Sequence, residues 1–261
     1  MRRSRWALPF GIGLAVPALL LGPAPARTAG VTEEVDAGVA AYDAGNLAAA
    51  QAALERAVRL DPHAFTALRW LSRVESDLGE DAKGEDQRTL FASAVEHART
   101  AVQVAPDSAS GHLELAVALG RQALREGPRT RLALSREIKA ETDRSIALDP
   151  NLGRAYHVRA MWNRKIAGLN FFERTTAHAV LGGVPKGASM DNAVADFQRA
   201  IELEPGYVNH HLELARTYLE MNRKDDARRE LERAIALPPT SSPRDPRYQG
   251  EARELLRKLK G

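Results

Sequence analysis

The segment GVAAYDAGNLAAAQAALERAVRLDP (residues 38–62) belongs to the stretch Val31–Pro62, and this stretch decides the fold. Its apolar residues recur at helical spacing on both sides of Gly45-Asn46, a pair that tolerates the left-handed backbone of a tight turn. Leu54 is expected to fill the space between two short helices, and Pro62 ends the second helix. Small residues stand where these helices must meet closely: Gly38, Ala41, Ala50 and Ala57.

The end of this helix pair recurs along the chain. The related segments ERAVRLDP, RTAVQVAP, DRSIALDP, QRAIELEP and ERAIALPP end at Pro62, Pro106, Pro150, Pro205 and Pro239. The intervals between these prolines are 44, 44, 55 and 34 residues. The last interval is the ~34-residue period of the tetratricopeptide repeat (TPR), and the longer intervals fit the same unit with insertions. Because one pair cannot bury its own apolar face, the sequence predicts an all-α, TPR-type α-solenoid.

The solenoid is predicted to span residues 31–241 and to contain five helix pairs. The five repeats are Val31–Ala64, Phe65–Ser108, Ala109–Leu152, Gly153–Tyr207 and Val208–Ser241. Residues 242–261 are interpreted as a proline-rich linker followed by a helix over residues 251–260. A polar-faced helix at this position is expected to cap the exposed end of the solenoid.

The N-terminal residues 1–26 resemble a secretory signal peptide. Arg2, Arg3 and Arg5 precede the apolar run Trp6–Gly22, and Ala24-Pro25-Ala26 matches an A-x-A cleavage site. The alternative is an uncleaved N-terminal membrane anchor. The sequence therefore predicts an exported protein, periplasmic or secreted, or one anchored in a membrane and facing the periplasm. The chain's formal charge of +3 equals that of these three arginines, so it does not indicate nucleic-acid binding.

The repeat phase predicts which residues line the concave face. In TPR solenoids the first helix of each pair lines this face, and five positions on it point inward. Several of these positions hold arginine, whose guanidinium binds carboxylates bidentately, and the others give an apolar floor. The predicted ligand- or peptide-binding groove consists of Arg69, Arg73, Leu113, Val117, Arg121, Arg154, His157, Met161, Arg164, Asn209, Leu212 and Arg216.

An apolar insertion interrupts the fourth repeat. The first helix of this repeat is expected to run on through Phe172, and the segment Leu169–Ser189 then precedes the second helix. Two interpretations stand open for this insertion. It is either a hydrophobic flap packed on the neighbouring repeat or a lid over the groove, with Phe171 and Phe172 as the candidate lid residues.

Patterns typical of enzymes and metal sites are missing from the sequence. His210-His211 lacks the spacing of two metal ligands on one helical face, and His112 and His211 recur in the repeated segment HLELA. Gly182–Gly187 is followed by Ala188-Ser189 rather than by the Lys-Ser/Thr of a phosphate-binding loop. No nucleophile elbow or cysteine is present. We therefore expect a non-enzymatic protein without metal or cofactor.

The last third of the chain resembles the regulator-of-microtubule-dynamics family. The resemblance covers about Ala155–Pro238 and rests on Trp162, Ala167-Gly168-Leu169, Glu173-Arg174, Gly182–Pro185 and Glu202–Gly206. It implies a scaffold protein, and it implies that phospholipid binding in the groove could transfer to this chain.

Two functions remain open from the sequence. The first is a TPR scaffold or adaptor of the cell envelope that binds an acidic protein or peptide partner through the cationic groove. The alternative is a phospholipid carrier that uses the same groove under the 169–189 insertion. Nucleic acid is not expected as a partner, and membrane contact is expected only through an uncleaved N-terminal segment.

Overall fold

The computed structural model describes residues 24–171, 173–175, 177, 183–238 and 242–260. Eleven helices within these residues form five antiparallel pairs and a terminal helix, which confirms the all-α solenoid. The helices are α1 (Ala24–Asp43), α2 (Leu47–Leu60), α3 (Phe65–Asp81), α4 (Gly84–Val104), α5 (Ala109–Ala123), α6 (Pro128–Leu148), α7 (Gly153–Ala167), α8 (Met190–Leu203), α9 (Val208–Glu220), α10 (Lys224–Ala236) and α11 (Asp245–Lys260).

The predicted contact between the first two helices is present. Ala50, Leu54 and Ala57 on α2 are fully buried. The side chain of Asn46 caps α2 by accepting a hydrogen bond from the backbone N–H of Ala49 at 3.1 Å. Gly45 has φ +76°, the left-handed conformation that the Gly-Asn pair predicts. The local sequence therefore determines both the turn and the interface of the pair.

The insertion of the second repeat lengthens its helices. Residues 79–90, which exceed the ~34-residue unit, are helical over most of their length: α3 reaches Asp81 and α4 begins at Gly84. Phe91 packs so closely on Gly79 that a Cβ added at Gly79 would lie 2.4 Å from the ring. Gln87 donates a hydrogen bond to the carbonyl of Gly79 at 2.6 Å. These contacts keep the extended ends of the two helices together.

Helix α7 ends at Ala167, so the prediction that it runs on through Phe172 is wrong. The physical reason is a cap. The Arg174 guanidinium donates hydrogen bonds to the carbonyls of Ile166 and Ala167 at 3.0 and 2.8 Å and to that of Leu169 at 3.0 Å. Free carbonyls at a helix end favour such a cation.

The described part of the insertion packs on α6 and α7. Leu169, Val184 and Ala188 contact the apolar cluster that contains Trp162 and Ile166. Arg136 on α6 donates a hydrogen bond to the carbonyl of Gly183 at 2.9 Å. Phe171 is 84% exposed, and Phe172 lies outside the described residues. These contacts fit the flap interpretation, and the lid interpretation rests on no described contact with the groove.

The terminal helix starts earlier than predicted. Helix α11 begins at Asp245 instead of residue 251, because Pro246 stands in its first turn, where the missing N–H of proline costs nothing. Tyr248 and Ala252 join the core cluster of α9 and α10, and three leucines pack against it: Leu255, Leu256 and Leu259. Helix α11 therefore covers the last pair, as expected of a cap.

The first helix of each pair contacts the first helix of the next, in the order α1, α3, α5, α7, α9, with α11 last. These helices together line one face of the solenoid, which we call the inner face. The predicted signal peptide lies almost wholly in residues 1–23, outside the described residues. Its A-x-A site, residues 24–26, falls in the first turn of α1.

We predict that Gly38→Ala lowers the free energy of unfolding by about 1–3 kcal/mol. A Cβ at Gly38 would lie 2.6 Å from Cγ of the buried Leu54, which cannot move without repacking the first pair. The matched control is Gly120→Ala on α5, where a Cβ meets nothing within 4 Å. The control should gain up to about 1 kcal/mol from helix propensity. Urea unfolding followed by circular dichroism measures both, and equal shifts would contradict the pairing of α1 with α2.

Candidate functional site

The structure places the twelve predicted groove residues on the four middle helices of the inner face. Arg69 and Arg73 lie on α3, and Leu113, Val117 and Arg121 lie on α5. Helix α7 carries Arg154, His157, Met161 and Arg164, and helix α9 carries Asn209, Leu212 and Arg216.

The predicted apolar floor is largely internal. Leu113 and Leu212 are 1% and 0% exposed and belong to the core between helices. Both occur in the repeated segment HLELA, in which all five residues are buried at each copy. Val117 and Met161 are half-buried. The inner face therefore presents charged groups more than apolar ones.

Three of the predicted arginines converge on one buried carboxylate, that of Glu114 on α5. Arg73 donates to Oε1 of Glu114 from Nε at 3.1 Å, and Nη1 of Arg154 lies 3.4 Å from the same oxygen. Nη1 of Arg69 lies 4.0 Å from it. Glu114 is 1% exposed, whereas the three arginine side chains are 17–25% exposed. We call Arg69, Arg73, Arg154 and Glu114 the Glu114 cluster.

The Glu114 cluster is unbalanced in charge. Three guanidinium groups share one carboxylate, and Oε2 of Glu114 is buried with no hydrogen-bond partner among the described residues. Burial lowers the pKa of Arg69, and the attraction of the more distant Glu114 does not offset it. Burial also opposes the charge on Arg73, but the charge and hydrogen bond of Glu114, together with Tyr42 and Tyr207, raise the pKa of Arg73. Trp70 lies beneath Arg69 and Arg73, with its ring centroid 5.0 and 4.7 Å from their Cζ atoms.

The other predicted arginines are matched by acids that sequence reasoning missed. Arg121 pairs with Glu80, and Arg164 pairs with Glu213. Arg216 pairs with Glu213 and also with Glu251 of α11 at 2.5 Å. A signal was available, since the two copies of HLELA place Glu114 and Glu213 at the same repeat position.

His157 and His210 form a neutral pair on the inner face. Their Nδ1 atoms are 2.9 Å apart, and Nε2 of His210 lies 3.4 Å from Oε2 of Glu204. Burial lowers the pKa of His157 well below its usual value, and repulsion by His210 and Arg164 adds to the effect. Burial also lowers the pKa of His210, although Glu204 opposes it.

The two repeated histidines have structural partners. His112 contacts Glu141 at 2.5 Å and the carbonyl of Pro106 at 2.8 Å. His211 makes the equivalent contacts with Glu230 at 2.8 Å and the carbonyl of Pro205 at 3.3 Å. Each ring thus ties a first helix to the second helix of its pair. Within the part of the chain that the structure describes, no three acidic or histidine side chains are placed to hold a metal ion.

Comparison with known families identifies the chain's relatives. The family model of regulator of microtubule dynamics protein 1-3 matches residues 31–260. The chain belongs to this family. The match covers the whole solenoid and the terminal helix, so the family resemblance of the last third extends to the first repeats. The Glu114 cluster and helix α11 both lie within the matched range.

Curated relatives and solved structures agree with this assignment. Regulator of microtubule dynamics protein 3 of Rattus norvegicus is 29% identical over 187 residues, 71% of this chain and 39% of that protein. The chain thus spans about two-fifths of that relative's length. Protein 1 of Caenorhabditis elegans is 28% identical over 73% of this chain and 84% of its own length. The TPR protein TTC0263 of Thermus thermophilus, 22% identical, superposes with a TM-score of 0.64 over 87% of this chain and 98% of its own, which shows the shared fold.

The comparisons overturn the predicted location. The matching relatives of Rattus norvegicus, Bos taurus and Caenorhabditis elegans come from animals, which have no periplasm, and their names refer to microtubules, which are cytoplasmic polymers. The prediction of an exported protein, periplasmic, secreted or anchored facing the periplasm, is therefore wrong. Among the described helices, none combines the length and apolar character needed to cross a membrane.

We predict that Glu114→Gln lowers the free energy of unfolding by about 3 kcal/mol or more. The substitution leaves three partly buried guanidinium groups without a countercharge. The control is Glu55→Gln, because Glu55 is 42% exposed and lies 3.7 Å from Arg59, so its loss should change stability by no more than about 0.5 kcal/mol. Denaturant titrations compare the two, and a neutral Glu114→Gln would show that the cluster is not held by this carboxylate.

The histidines predict a pH dependence with opposite signs. Because the pKa values of His157 and His210 are lowered, the unfolded chain binds more protons, and their contribution to stability falls as pH drops below about 6.5. Burial opposes protonation of His97, but the hydrogen bond and charge of Glu75, together with the charges of Glu96 and Glu55, raise its pKa. The stability that His97 contributes is therefore present below about pH 6.5 and is lost as pH rises through its folded pKa.

Proton NMR of the imidazole Cε1–H groups measures these titrations. At pH 6, His157 and His210 should be neutral and His97 protonated, with single His→Gln variants assigning the signals. A His157 signal that titrates at or above pH 6.5 would contradict the neutral pair.

Proposed function

We propose that this chain is a non-enzymatic TPR scaffold that binds an acidic segment of a partner protein at the Glu114 cluster. The main support for this proposal is the charge imbalance of the cluster, in which three guanidinium groups pair with one carboxylate. The TPR-like fold itself indicates a protein-binding scaffold. The cluster adds the chemistry of the partner, because partly exposed arginines that lack full neutralisation attract carboxylates.

The geometry of the cluster favours a peptide segment over a free ion. Arg69 stands farthest from Glu114 and is therefore the guanidinium most available to a new carboxylate. Oε2 of Glu114 is a buried acceptor without a partner among the described residues, and it suits an N–H donor such as a peptide backbone. The half-buried Trp70 offers an apolar surface beside both groups. A segment with an acidic side chain next to backbone N–H groups satisfies all three features.

The remaining predicted groove residues are not expected to attract the acidic segment. Arg121, Arg164 and Arg216 have their own acidic partners, so they hold helices together rather than attract a ligand. The Oδ1 atom of Asn209 is buried and has no hydrogen-bond partner among the described residues. The relatives are named regulators of microtubule dynamics, and microtubules are therefore one macromolecular probe for the same site.

We predict that Arg69→Gln/Arg154→Gln lowers affinity for a glutamate-rich peptide of about twelve residues at least about tenfold, since each charged contact contributes about 1–2 kcal/mol. Fluorescence anisotropy at low salt measures the binding. Arg228→Gln/Arg229→Gln on α10 removes the same charge from exposed ion pairs and is the matched control. A glutamine-rich peptide of equal length should not bind.

Equal affinity of both double variants would contradict the proposed site. Vesicles with anionic phospholipid serve as a second probe. Preferential, Arg69-dependent binding of vesicles instead of the peptide would favour the phospholipid alternative and overturn the protein-segment proposal. Co-sedimentation with microtubules should show the same loss in Arg69→Gln/Arg154→Gln if they present the acidic segment.

A further inference from the structure

The C-terminal residues reach across the inner face to the second repeat. Nη1 of Arg244 lies 3.0 Å from Oδ1 of Asp81, and its Nη2 donates to the backbone carbonyl of Asp77. Nη1 of Arg247 lies 3.1 Å from the same oxygen of Asp81 and 3.6 Å from Glu80. These contacts join residues 163–167 positions apart in sequence.

Such contacts are unusual in a solenoid, where each repeat normally touches its neighbours alone. Helix α11 is fixed to the last pair by apolar packing of Tyr248 and Ala252. The contacts with α3 are made by the side chains of Arg244, just before α11, and of Arg247 in its first turn. The terminal segment and the second repeat are thus joined directly by charged groups.

A chain of ion pairs continues the bridge along the inner face. Nε of Arg247 lies 3.0 Å from Glu251, which pairs with Arg216 of α9 at 2.5 Å. Glu213 links Arg216 to Arg164 of α7. The network therefore connects α3, α11, α9 and α7 around the face that the proposed ligand must enter.

The bridge also lies beside the Glu114 cluster. Asp77 follows Arg73 by one turn of α3, so the two side chains share a helix face. Tyr42 of α1 donates a hydrogen bond to Oδ2 of Asp77 at 2.8 Å. An acidic segment seated on Arg73 would thus meet the acids and arginines of the bridge directly.

We propose that Arg244 and Arg247 form a clasp that holds the last repeat against α3 and restricts access to the Glu114 cluster. The contact between the last repeat and α3 does not depend on any ligand, whereas the restricted access to the Glu114 cluster rests on the proposed function. Arg244 is the stronger half, because its side chain is 7% exposed. Arg247 and Asp81 are 45% and 57% exposed, so salt screens that half of the clasp.

Distance measurements between spin labels test the closure. The chain has no cysteine, so Asp43→Cys and Arg253→Cys place two labels at exposed positions on α1 and α11. The labelled protein should give one narrow distance distribution at low salt. Adding Arg244→Gln/Arg247→Gln should lengthen and broaden it, and Arg228→Gln/Arg229→Gln should leave it unchanged. An unchanged distribution in the first variant would overturn the clasp.

Binding of the glutamate-rich peptide tests the restriction. Arg244→Gln/Arg247→Gln should raise the affinity about threefold or more, because a larger fraction of molecules is open. Loss of two positive charges alone would lower it, so the sign separates the two effects. A longer distance with unchanged or weaker binding would overturn the restriction. A longer distance with no binding by any variant would support closure and refute the proposed function instead.

Two further measurements guard against a misfolded variant. Circular dichroism must show unchanged helicity, and Arg247→Gln alone provides a milder change.

Raising the salt concentration with the doubly labelled protein, without any clasp substitution, should shift the distribution of distances between the labels toward longer values. A distance between the two spin labels that does not change with salt would contradict the contribution of the exposed Arg247–Asp81 pair.

Discussion

Burial of apolar faces between neighbouring helix pairs is the constraint on which the structure depends. A single pair leaves one face wet, so each pair must stack on the next. Close stacking needs small residues at the contacts, and Ala50, Ala98, Ala200 and Ala234 are all fully buried on second helices. Stacking then aligns the first helices side by side, and this alignment brings side chains from distant parts of the sequence onto one inner face.

The pairing of charges on the inner face reflects the free-energy cost of burying an unpaired charge. A partly buried guanidinium without a countercharge is unfavourable, and Glu80, Glu213 and Glu251 supply countercharges for three of the arginines. Glu114 alone serves three more in the ion pairs of the described residues. The face is therefore mostly self-neutralised, and the remaining positive charge is concentrated at one point. That concentration, rather than a uniformly cationic groove, gives the protein its proposed selectivity for an acidic segment.

The sequence predicts what depends on local spacing. Recurrent prolines and alanines indicate the helix pairs, and the repeat phase assigns Arg69 and Arg154 to first helices, where the structure has them. The acidic partners of the groove arginines could not be predicted from local spacing. The pairing of Arg73 with Glu114, for example, depends on the register between two helices, and no local sequence pattern specifies that register. The contacts of Arg244 with α3 join residues 163 and 167 positions apart, which no repeat pattern contains. The end of α7 depends on Arg174, a cap supplied from outside the helix.

The most direct test of this account is an NMR titration that follows the arginine Nε–Hε signals while the glutamate-rich peptide is added. The account predicts that Arg69, Arg73 and Arg154 shift together and saturate with the same affinity. Arg164 and Arg216, which pair with Glu213, Glu220 and Glu251, should shift little. Shifts spread evenly over all five arginines, or confined to arginines outside the Glu114 cluster, would contradict the central claim that unbalanced charge selects the ligand site.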